Sequence, residues 1–456
     1  MSYSRYLCLM LLTLPSVVGC GGDDETDSKS SCSIAEQSGC DAGKVCEAVK
    51  GGEPRCFAPV TIKGSVTHAF DAGPIAGAHV VARDANGVAV SSVAVTDEAG
   101  VYSLTVPAER NADGTIADGD NGVTLRADGA GFLTFPKAPR TALPVDLGAA
   151  SGSAPTIENA TTKIALIPIE GAALGTVSGH VKTEHPAGTL VLAGGVTGLA
   201  DRDGSYTIFN VPAGEVEVRG YAPGVNLQSK SAKVTSDQVT SDVDLERVSE
   251  ATAIVSGNVQ IVNAPGGAAT SVILVLEDTF QEDVARGEAP PGLRAFPVSG
   301  AFSIPKVPDG DYVVLAAFEN DSLVRDPDTS IGGTEIVHVR VSGQSVALSD
   351  GFKVTEALAV NSPGAEGIEV VSGTPTFSWA DDSSEDSYSL VVFDALGARV
   401  WELADIVGPK GSKPVTVSYA GPALTPHMIY QFRATSIKDG TPISQTEDLK
   451  GVFEYQ

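Results

Sequence analysis

The alternation of apolar and polar residues is clearest in residues 201–218, which predict a turn, a strand, a second turn and a second strand. Tyr206-Thr207-Ile208 and Val216-Glu217-Val218-Arg219 place apolar side chains at every second position, the period of a half-buried β-strand. Asp203-Gly204 supplies turn residues, because glycine accepts positive φ and aspartate bonds to its own backbone. Pro212-Ala213-Gly214 between the strands is a hairpin-type break.

Altered copies of this unit lie on both sides of it. Residues 96–107 read TDEAGVYSLTVP, and residues 299–314 read SGAFSIPKVPDGDYVV. Each copy follows a Gly-x-Val strand start by some tens of residues, at Gly64-Ser65-Val66, Gly179-His180-Val181 and Gly257-Asn258-Val259. This repetition predicts three β-modules in series.

The copies also align three aromatic residues: Tyr102, Tyr206 and Phe302. In each copy an aliphatic residue follows two positions later, so both side chains point to the same face of the strand. We expect all three aromatic residues to lie inside their modules. We also expect each module to have its own core and to unfold separately.

The repeated motif resembles the carboxypeptidase regulatory-like, or transthyretin-like, β-sandwich. It runs from Gly-x-Val through a Gly-Ala-x-Val strand, Gly77-Ala78-His79-Val80 in the first copy, to Asp-x-x-Gly-x-Tyr and Val-Pro-x-Gly. The resemblance covers roughly residues 60–358 and is strongest in the second copy. It implies a sandwich fold for each copy. Because the motif consists of turn and core residues, it implies no activity.

The C-terminal segment resembles a fibronectin type III domain. Thr374 to Trp379, Tyr388 to Asp394 and Leu424 to Ala434 carry this resemblance, the last with a Leu-x-Pro-x-x-x-Tyr spacing. In that family the spacing makes a tyrosine corner, which the resemblance assigns to Tyr430. Trp379 is expected to be a core aromatic residue on an early strand.

These patterns place the chain in the all-β class and divide it into seven segments. They are a signal peptide (1–19), an acidic tether (20–31), a small disulfide-rich module (32–57), three carboxypeptidase regulatory-like sandwiches (the first, 58–169; the second, 172–248; the third, 252–359) and a fibronectin type III-like C-terminal sandwich (360–456).

The N-terminal residues predict export. The apolar run Tyr6 to Val18 is shorter than the roughly 20 residues of a membrane-spanning helix and is typical of a signal peptide. Val17-Val18-Gly19-Cys20 resembles the bacterial lipobox, which implies lipidation of Cys20 and a membrane as partner. Gly21 in place of an aspartate favours the outer membrane. The alternative is an ordinary secretion signal that happens to contain Cys20.

Four cysteines cluster in the small module: Cys32, Cys40, Cys46 and Cys56. The cluster has no Cys-x-x-Cys pair and no histidine, so two disulfides are favoured over a zinc site. Disulfides also fit the oxidising compartment of an exported chain. Three connectivities are possible, and the sequence does not choose between them.

The charge balance argues against nucleic acid as a partner. The chain has 57 acidic and 30 basic residues, a formal net charge of −27. Removal of residues 1–19 deletes only Arg5, which leaves 29 basic residues and a charge of −28. Nucleic-acid binding needs a basic surface, which this composition does not offer.

Sequence motifs of catalysis are absent. The chain contains no His-Glu-x-x-His, no Gly-x-Ser-x-Gly and no phosphate-binding glycine loop followed by lysine. Counted as EF-type loops, the acidic stretches 109–122 and 201–204 lack acidic residues at positions where such a loop needs them, so solvated turns are favoured over calcium sites. We therefore expect no enzyme activity, cofactor or metal.

The remaining expectation is a non-catalytic, lipid-anchored envelope protein. Its sandwiches are expected to bind a polysaccharide, a peptide or a partner envelope protein; the alternative is a structural stalk or accessory subunit. An insertion after Leu276 is expected to form a side loop with a short helix near Phe280 and Val284. Exposure of four aromatic residues in one groove favours glycan stacking, and their burial favours the stalk: Tyr221, Phe280, Phe296 and Phe318.

Overall fold

The structure of this chain is a computed structural model. It describes residues 32–456 apart from residues 35–36, 85, 118–121, 138–141, 153, 263–269, 282–285, 319–335, 350–351, 356, 383–384, 396–397, 410–412 and 448–449. The fold is nearly all β, as the alternation predicts. In the disulfide-rich module, two short strands pair antiparallel: β1 (Val45–Glu47) and β2 (Arg55–Phe57).

The first sandwich contains two sheets. The strands are β3 (Val60–His68), β4 (His79–Arg83), β5 (Ala94–Val95), β6 (Val101–Val106), β7 (Gly122–Asp128), β8 (Val145–Asp146), β9 (Thr156–Ile157) and β10 (Lys163–Leu166). Short 3-10 helices span Leu147–Ala149 and Ala160–Thr162. One sheet has the order β10-β3-β6 with β9 also on β3, and the other has the order β5-β4-β7-β8.

The second sandwich has the order β13-β12-β15-β16-β19-β11-β14, with β17 on β15 and β18 on β11. Its strands are β11 (Leu174–Lys182), β12 (Leu190–Ala193), β13 (Val196–Leu199), β14 (Ser205–Pro212), β15 (Gly214–Ala222), β16 (Val225–Leu227), β17 (Lys230–Val234), β18 (Val239–Thr240) and β19 (Leu245–Glu250).

The third sandwich again has two sheets, β23-β20-β26 with β27 on β20, and β22-β21-β24-β25. Its strands are β20 (Ala253–Val262), β21 (Thr270–Leu276), β22 (Arg294–Ala295), β23 (Ala301–Val307), β24 (Gly310–Phe318), β25 (Val337–Val341), β26 (Val346–Ala347) and β27 (Phe352–Thr355). A 3-10 helix, Glu277–Thr279, follows β21.

All three sandwiches share one topology. The Gly-x-Val strand pairs antiparallel with the motif strand: β3 with β6, β11 with β14, and β20 with β23. On its other side the same strand pairs parallel with a last strand in two parts: β9 and β10, β18 and β19, and β26 and β27. The sequence repeat therefore corresponds to a structural repeat.

The C-terminal sandwich packs a three-stranded sheet, β28-β30-β33, against a larger sheet, β29-β36-β34-β31-β32, with β35 on β34. The strands are β28 (Val360–Ser362), β29 (Glu369–Val371), β30 (Thr376–Trp379), β31 (Ser387–Asp394), β32 (Arg399–Ile406), β33 (Val415–Ser418), β34 (Ile429–Lys438), β35 (Thr441–Gln445) and β36 (Val452–Tyr455). Trp379 is fully buried in its core, as predicted.

The first and second sandwiches each have a core of their own, as expected, but the expectation of a separate core is wrong for the third. The core of the third sandwich is continuous with side chains from the outer faces of the other two: Val81 of the first, and Leu190, Leu192, Leu199 and Tyr221 of the second. These side chains alternate along their strands with inward ones such as Val191, which pack in the second sandwich's own core. Strands β4, β12 and β13 are therefore buried on both faces, and the sandwiches pack against one another.

Candidate functional site

The motif aromatic residues lie in the cores and each faces a glycine. The register pairs Gly64 with Tyr102, Gly179 with Tyr206, and Gly257 with Phe302. The three aromatic residues are at most 6% exposed. Two hydroxyls donate to a backbone carbonyl near the last strand: Tyr102 to Thr162 at 2.7 Å, and Tyr206 to Val243. The prediction that these residues are buried is confirmed.

A second repeated feature joins neighbouring sandwiches. Strands β11 and β20 each have a register shift opposite a non-glycine residue at positive φ, Asn210 (63°) in β14 and Lys306 (60°) in β23. Asn210 contacts the loop after β7 of the first sandwich, donating from Nδ2 to the carbonyls of Gly129 (2.9 Å) and Phe132 (2.7 Å). The Lys306 carbonyl accepts from Gly224 N–H, after β15 of the second sandwich, at 2.8 Å. The same strand position therefore docks onto the preceding sandwich both times.

All three sandwiches meet at Arg126, whose side chain is 1% exposed. It donates to Asp128 of the same strand from Nε (2.8 Å) and Nη2 (3.1 Å). Nη2 also donates to the carbonyl and hydroxyl oxygens of Thr197 in the second sandwich, both at 3.0 Å. Nη1 donates to Glu288 Oε2 in the third sandwich at 2.9 Å.

Electrostatics at this junction favour the charged guanidinium. Burial alone would lower the pKa of Arg126, but Asp128 and Glu288 together raise it above its ordinary value. A buried charge is tolerated where it is paired and its donors are satisfied, and Arg126 meets both conditions. The junction is therefore a polar centre inside a mostly apolar interface.

A second buried ion pair holds the disulfide-rich module against the first sandwich. Arg110 Nε lies 2.5 Å from Glu47 Oε2, and Nη2 of the same guanidinium donates to the Ala58 carbonyl at 2.9 Å. The other Glu47 oxygen accepts from Ala108 N–H at 2.9 Å. Burial raises the pKa of Glu47, and Arg110 opposes that shift. The module is thus docked onto the first sandwich by buried contacts.

The predicted cysteine and tyrosine sites can now be located. Cys32 bonds Cys46, and Cys40 bonds Cys56, which selects one of the three possible connectivities.

Tyr430 is buried, and its hydroxyl accepts from Thr425 N–H at 2.8 Å, a hydroxyl-to-backbone bond of the kind a tyrosine corner makes. Cys20 lies outside the described residues.

No set of metal ligands forms among the described histidines and acids. The one described group with the spacing of metal ligands consists of three disulfide-bonded cysteines, Cys32, Cys40 and Cys56. Four of the six histidines lie beside carboxylates in different sandwiches: His68 with Asp71, His180 with Asp244, His338 with Glu277, and His427 with Glu454. The structure does not bring these pairs together.

The acidic stretches weighed as calcium loops contain local turns. Asp203 Oδ1 accepts from Ser205 N–H at 2.8 Å, and Asp113 Oδ1 accepts from Thr115 N–H at 2.9 Å. Hydrogen bonds from Ser205 and Thr115 lower the pKa values of these two carboxyls. Residues 118–121 of the first stretch lie outside the described part of the chain.

Among the described side chains, the aromatic residues proposed for glycan stacking are neither all exposed in one groove nor all buried. Tyr221 is 3% exposed and packs edge-on against Tyr312 of the third sandwich, 6.1 Å between ring centroids. Phe280 is partly buried, Phe296 is exposed beside the Arg294 guanidinium, and the Phe318 side chain lies outside the described residues. The helix expected near Phe280 begins earlier, as the 3-10 helix Glu277–Thr279, and Val284 is not described.

Three residues that make contacts between sandwiches were missed in the sequence: Arg126, Asn210 and Glu288. Alternation in Val123-Thr124-Leu125-Arg126 places Arg126 opposite the core, but it cannot distinguish a solvated face from one that meets another domain. An asparagine just before Val211-Pro212 was a usable signal for a bulge, because asparagine tolerates positive φ.

Comparison with known proteins finds weak similarity to solved structures. No protein-family model matches the chain, and no curated protein matches its sequence. Among solved structures, the Bacillus anthracis TIE protein is 9% identical, with 84% of this chain and 68% of that chain covered and a TM-score of 0.15. The major pilin subunit of Bacillus cereus is 10% identical, with 65% and 98% covered and a TM-score of 0.16. A streptococcal ancillary pilin is 9% identical, with 65% and 97% covered and a TM-score of 0.17.

Likenesses at this level give no basis for transferring an activity to this chain. Among the described residues, no helix is long and apolar enough to cross a membrane.

Proposed function

We propose that this chain is an exported, lipid-anchored envelope protein that acts as a rigid structural element and not as an enzyme. The proposal rests on one observation: outer sheet faces of the repeated sandwiches are buried against neighbouring sandwiches. The outer faces of β4, β7 and β12 and of the Tyr221 end of β15 are covered by neighbouring sandwiches. Buried contacts of this kind hold the three repeated sandwiches at fixed positions relative to one another.

The structural role is favoured over glycan binding through Tyr221. A glycan-stacking aromatic ring must be reachable by a sugar, but Tyr221 lies between two sandwiches. Phe302, Tyr206 and Tyr102 are likewise core residues. Each motif aromatic residue therefore has a packing role that accounts for its presence.

Anchoring is proposed from the lipobox resemblance of Val17-Val18-Gly19-Cys20 and the acidic stretch that follows. Two acyl chains give stable attachment to a membrane, whereas one chain gives marginal attachment. This anchor would place the disulfide-rich module near the lipid surface and the C-terminal sandwich farther along the chain.

Two measurements test the proposal. The full chain and a Cys20→Ala variant are expressed in a bacterium with two membranes, with Ser28→Ala in the tether as control, and the membranes are fractionated. We expect wild type and Ser28→Ala in the outer-membrane fraction and Cys20→Ala in the soluble fraction. Membrane association of Cys20→Ala contradicts the anchor. Glycan-array binding that Tyr221→Ala abolishes without loss of folding contradicts the structural role.

A further inference from the structure

The insertion of the third sandwich touches both other sandwiches. We call its described residues, 277–281 and 286–293, the clasp. Glu288 reaches Arg126 of the first sandwich at 2.9 Å, and Asp278 lies 3.8 Å from Arg219 of the second. Gly292 N–H donates to the Asn86 carbonyl of the first sandwich at 3.1 Å. The clasp thus links the third sandwich, to which it belongs, with the first and the second.

The clasp is itself fixed to the third sandwich. Phe280 and Ala289 pack on a buried cluster from the outer face of β21 and β24, formed by Ile273, Val275, Val313 and Leu315. Glu288 is held at both backbone groups: its N–H donates to Thr279 Oγ1 and its carbonyl accepts from Leu276 N–H, both at 2.9 Å. The backbone of Glu288 is therefore fixed to the third sandwich, independently of Arg126.

The clasp also explains how the third sandwich completes its packing. The outer face of the second sandwich, at Leu190, Leu192 and Tyr221, is covered by the third. The outer face of the first, at Arg126, is covered by the second and the third. The clasp covers the outer face of the third sandwich at β21 and β24. This face therefore needs no further sandwich to cover it.

We infer that the clasp is a conformational lock that makes the three sandwiches one cooperative unit, with Glu288 as the group that engages it. Arg126 is 1% exposed, so loss of the Glu288 carboxylate leaves a buried guanidinium short of one counter-charge. The Glu288 side chain is 30% exposed, so the junction is open to water at this edge, and separation of the sandwiches from that edge hydrates Arg126 and exposes Leu190, Leu192 and Tyr221. The lock therefore couples the clasp to interfaces on two other sandwiches.

Hydrogen exchange of the full chain tests the lock. We compare wild type with Glu288→Ala and Glu288→Gln, and use Glu250→Ala, which removes an exposed pair with Arg247, as the matched control. We expect Glu288→Ala to speed amide exchange about tenfold or more in β4, β12 and β13 together, with a smaller effect of Glu288→Gln. Exchange in the C-terminal sandwich should not change, and Glu250→Ala should match wild type.

A double variant keeps the test decisive if Glu288→Ala is poorly folded. Arg126→Met with Glu288→Ala removes the buried charge together with the carboxylate that the clasp brings to it, whereas Arg126→Met alone leaves that carboxylate unpaired. Asp128 loses its partner equally in both, so we expect exchange slower in the double variant than in Arg126→Met alone. Faster exchange confined to the third sandwich would overturn the lock. Additive effects of the two substitutions would overturn it as well.

Discussion

Gly179 lies directly opposite Tyr206 across β11 and β14, and its missing side chain leaves the space in which the Val243 backbone crosses the sheet. A Cβ atom on Gly179 would lie 2.1 Å from the Val243 carbonyl oxygen, which is the acceptor of the Tyr206 hydroxyl. The same arrangement joins Gly64, Tyr102 and the Thr162 carbonyl in the first sandwich. The glycine and the tyrosine of the motif are thus parts of one contact.

This contact predicts that Gly179→Ala strongly destabilises the chain. The new methyl group cannot occupy its position unless the backbone at Val243 moves, and overpacking of this kind costs about 1–3 kcal/mol or more. Chemical denaturation measures the loss. Gly300→Ala is the matched control, because its nearest neighbour would be the Asn258 side chain at 3.6 Å, an ordinary contact. Equal stability of the two variants would show that the Val243 backbone can move away from residue 179 at little cost, which would contradict the prediction.

Removal of the Tyr206 hydroxyl should have a smaller, separate effect. Tyr206→Phe keeps the ring in the core but takes the donor from the Val243 carbonyl, and an unsatisfied buried group costs about 1–3 kcal/mol. Tyr419→Phe loses a similar bond to the Pro422 carbonyl at an exposed position and should cost less than about 0.5 kcal/mol. Denaturation midpoints of both variants provide the comparison, and a neutral Tyr206→Phe would refute the role of the bond.

Docking of the disulfide-rich module should depend on Arg110. Arg110→Met leaves Glu47, which is 1% exposed, without its guanidinium, and breaking such a buried pair costs about 3–5 kcal/mol. Lys44→Met is the control, because Lys44 is exposed and its ion pair, with Asp41, lies within the module. Limited proteolysis between residues 57 and 60 reports release of the module. Equal cleavage rates in the two variants would contradict docking through the pair.

Acidification should weaken the contact between the first and second sandwiches at His79. This partly buried ring packs edge-on against Phe209 at 5.0 Å, and burial lowers its pKa, although Asp128 and Asp201 oppose the shift. The unfolded chain therefore binds the proton more readily than the folded chain. The contribution of His79 is fully present above pH of about 6.5 and is lost as the pH falls below that value.

The measurement for His79 is the change in melting temperature between pH 7.5 and pH 5.5. Wild type should lose more stability than His79→Phe, which keeps a ring against Phe209 and cannot take up a proton. His427→Gln, at an exposed position, should respond as wild type does. A response of His79→Phe identical to that of wild type would exclude this histidine as the source.

The fold was predictable because its signals are local. Alternation identified Tyr206 and Ile208 as inward positions, and turn residues such as Asp203-Gly204 marked where the strands end. Spacing of the three copies then gave a repeated topology, which the pairing of β3, β11 and β20 bears out. Each of these inferences needs only residues within one sandwich.

The junction was not predictable for the opposite reason. Arg126 and Glu288 are 162 residues apart, and each reads as an ordinary polar residue in its own segment. Leu190 and Leu192 alternate with Val191 and Ala193 in a strand that is buried on both faces, and nothing in this apolar run identifies the partner. The partner depends on how whole domains pack, which short-range patterns do not encode.

Distances between spin labels show whether the three repeated sandwiches form one rigid body, as we propose. Cysteines are introduced in pairs at the exposed positions Glu98, Lys233 and Ser303, one in each sandwich, in a chain carrying Cys20→Ala. Nitroxide labels then report the distribution of distances for each pair. A rigid body gives one narrow distribution for each of the three pairs, and we expect that distribution to broaden when Glu288→Ala is added. Broad distributions in the chain without Glu288→Ala would contradict the proposal, since sandwiches joined only by linkers sample many separations.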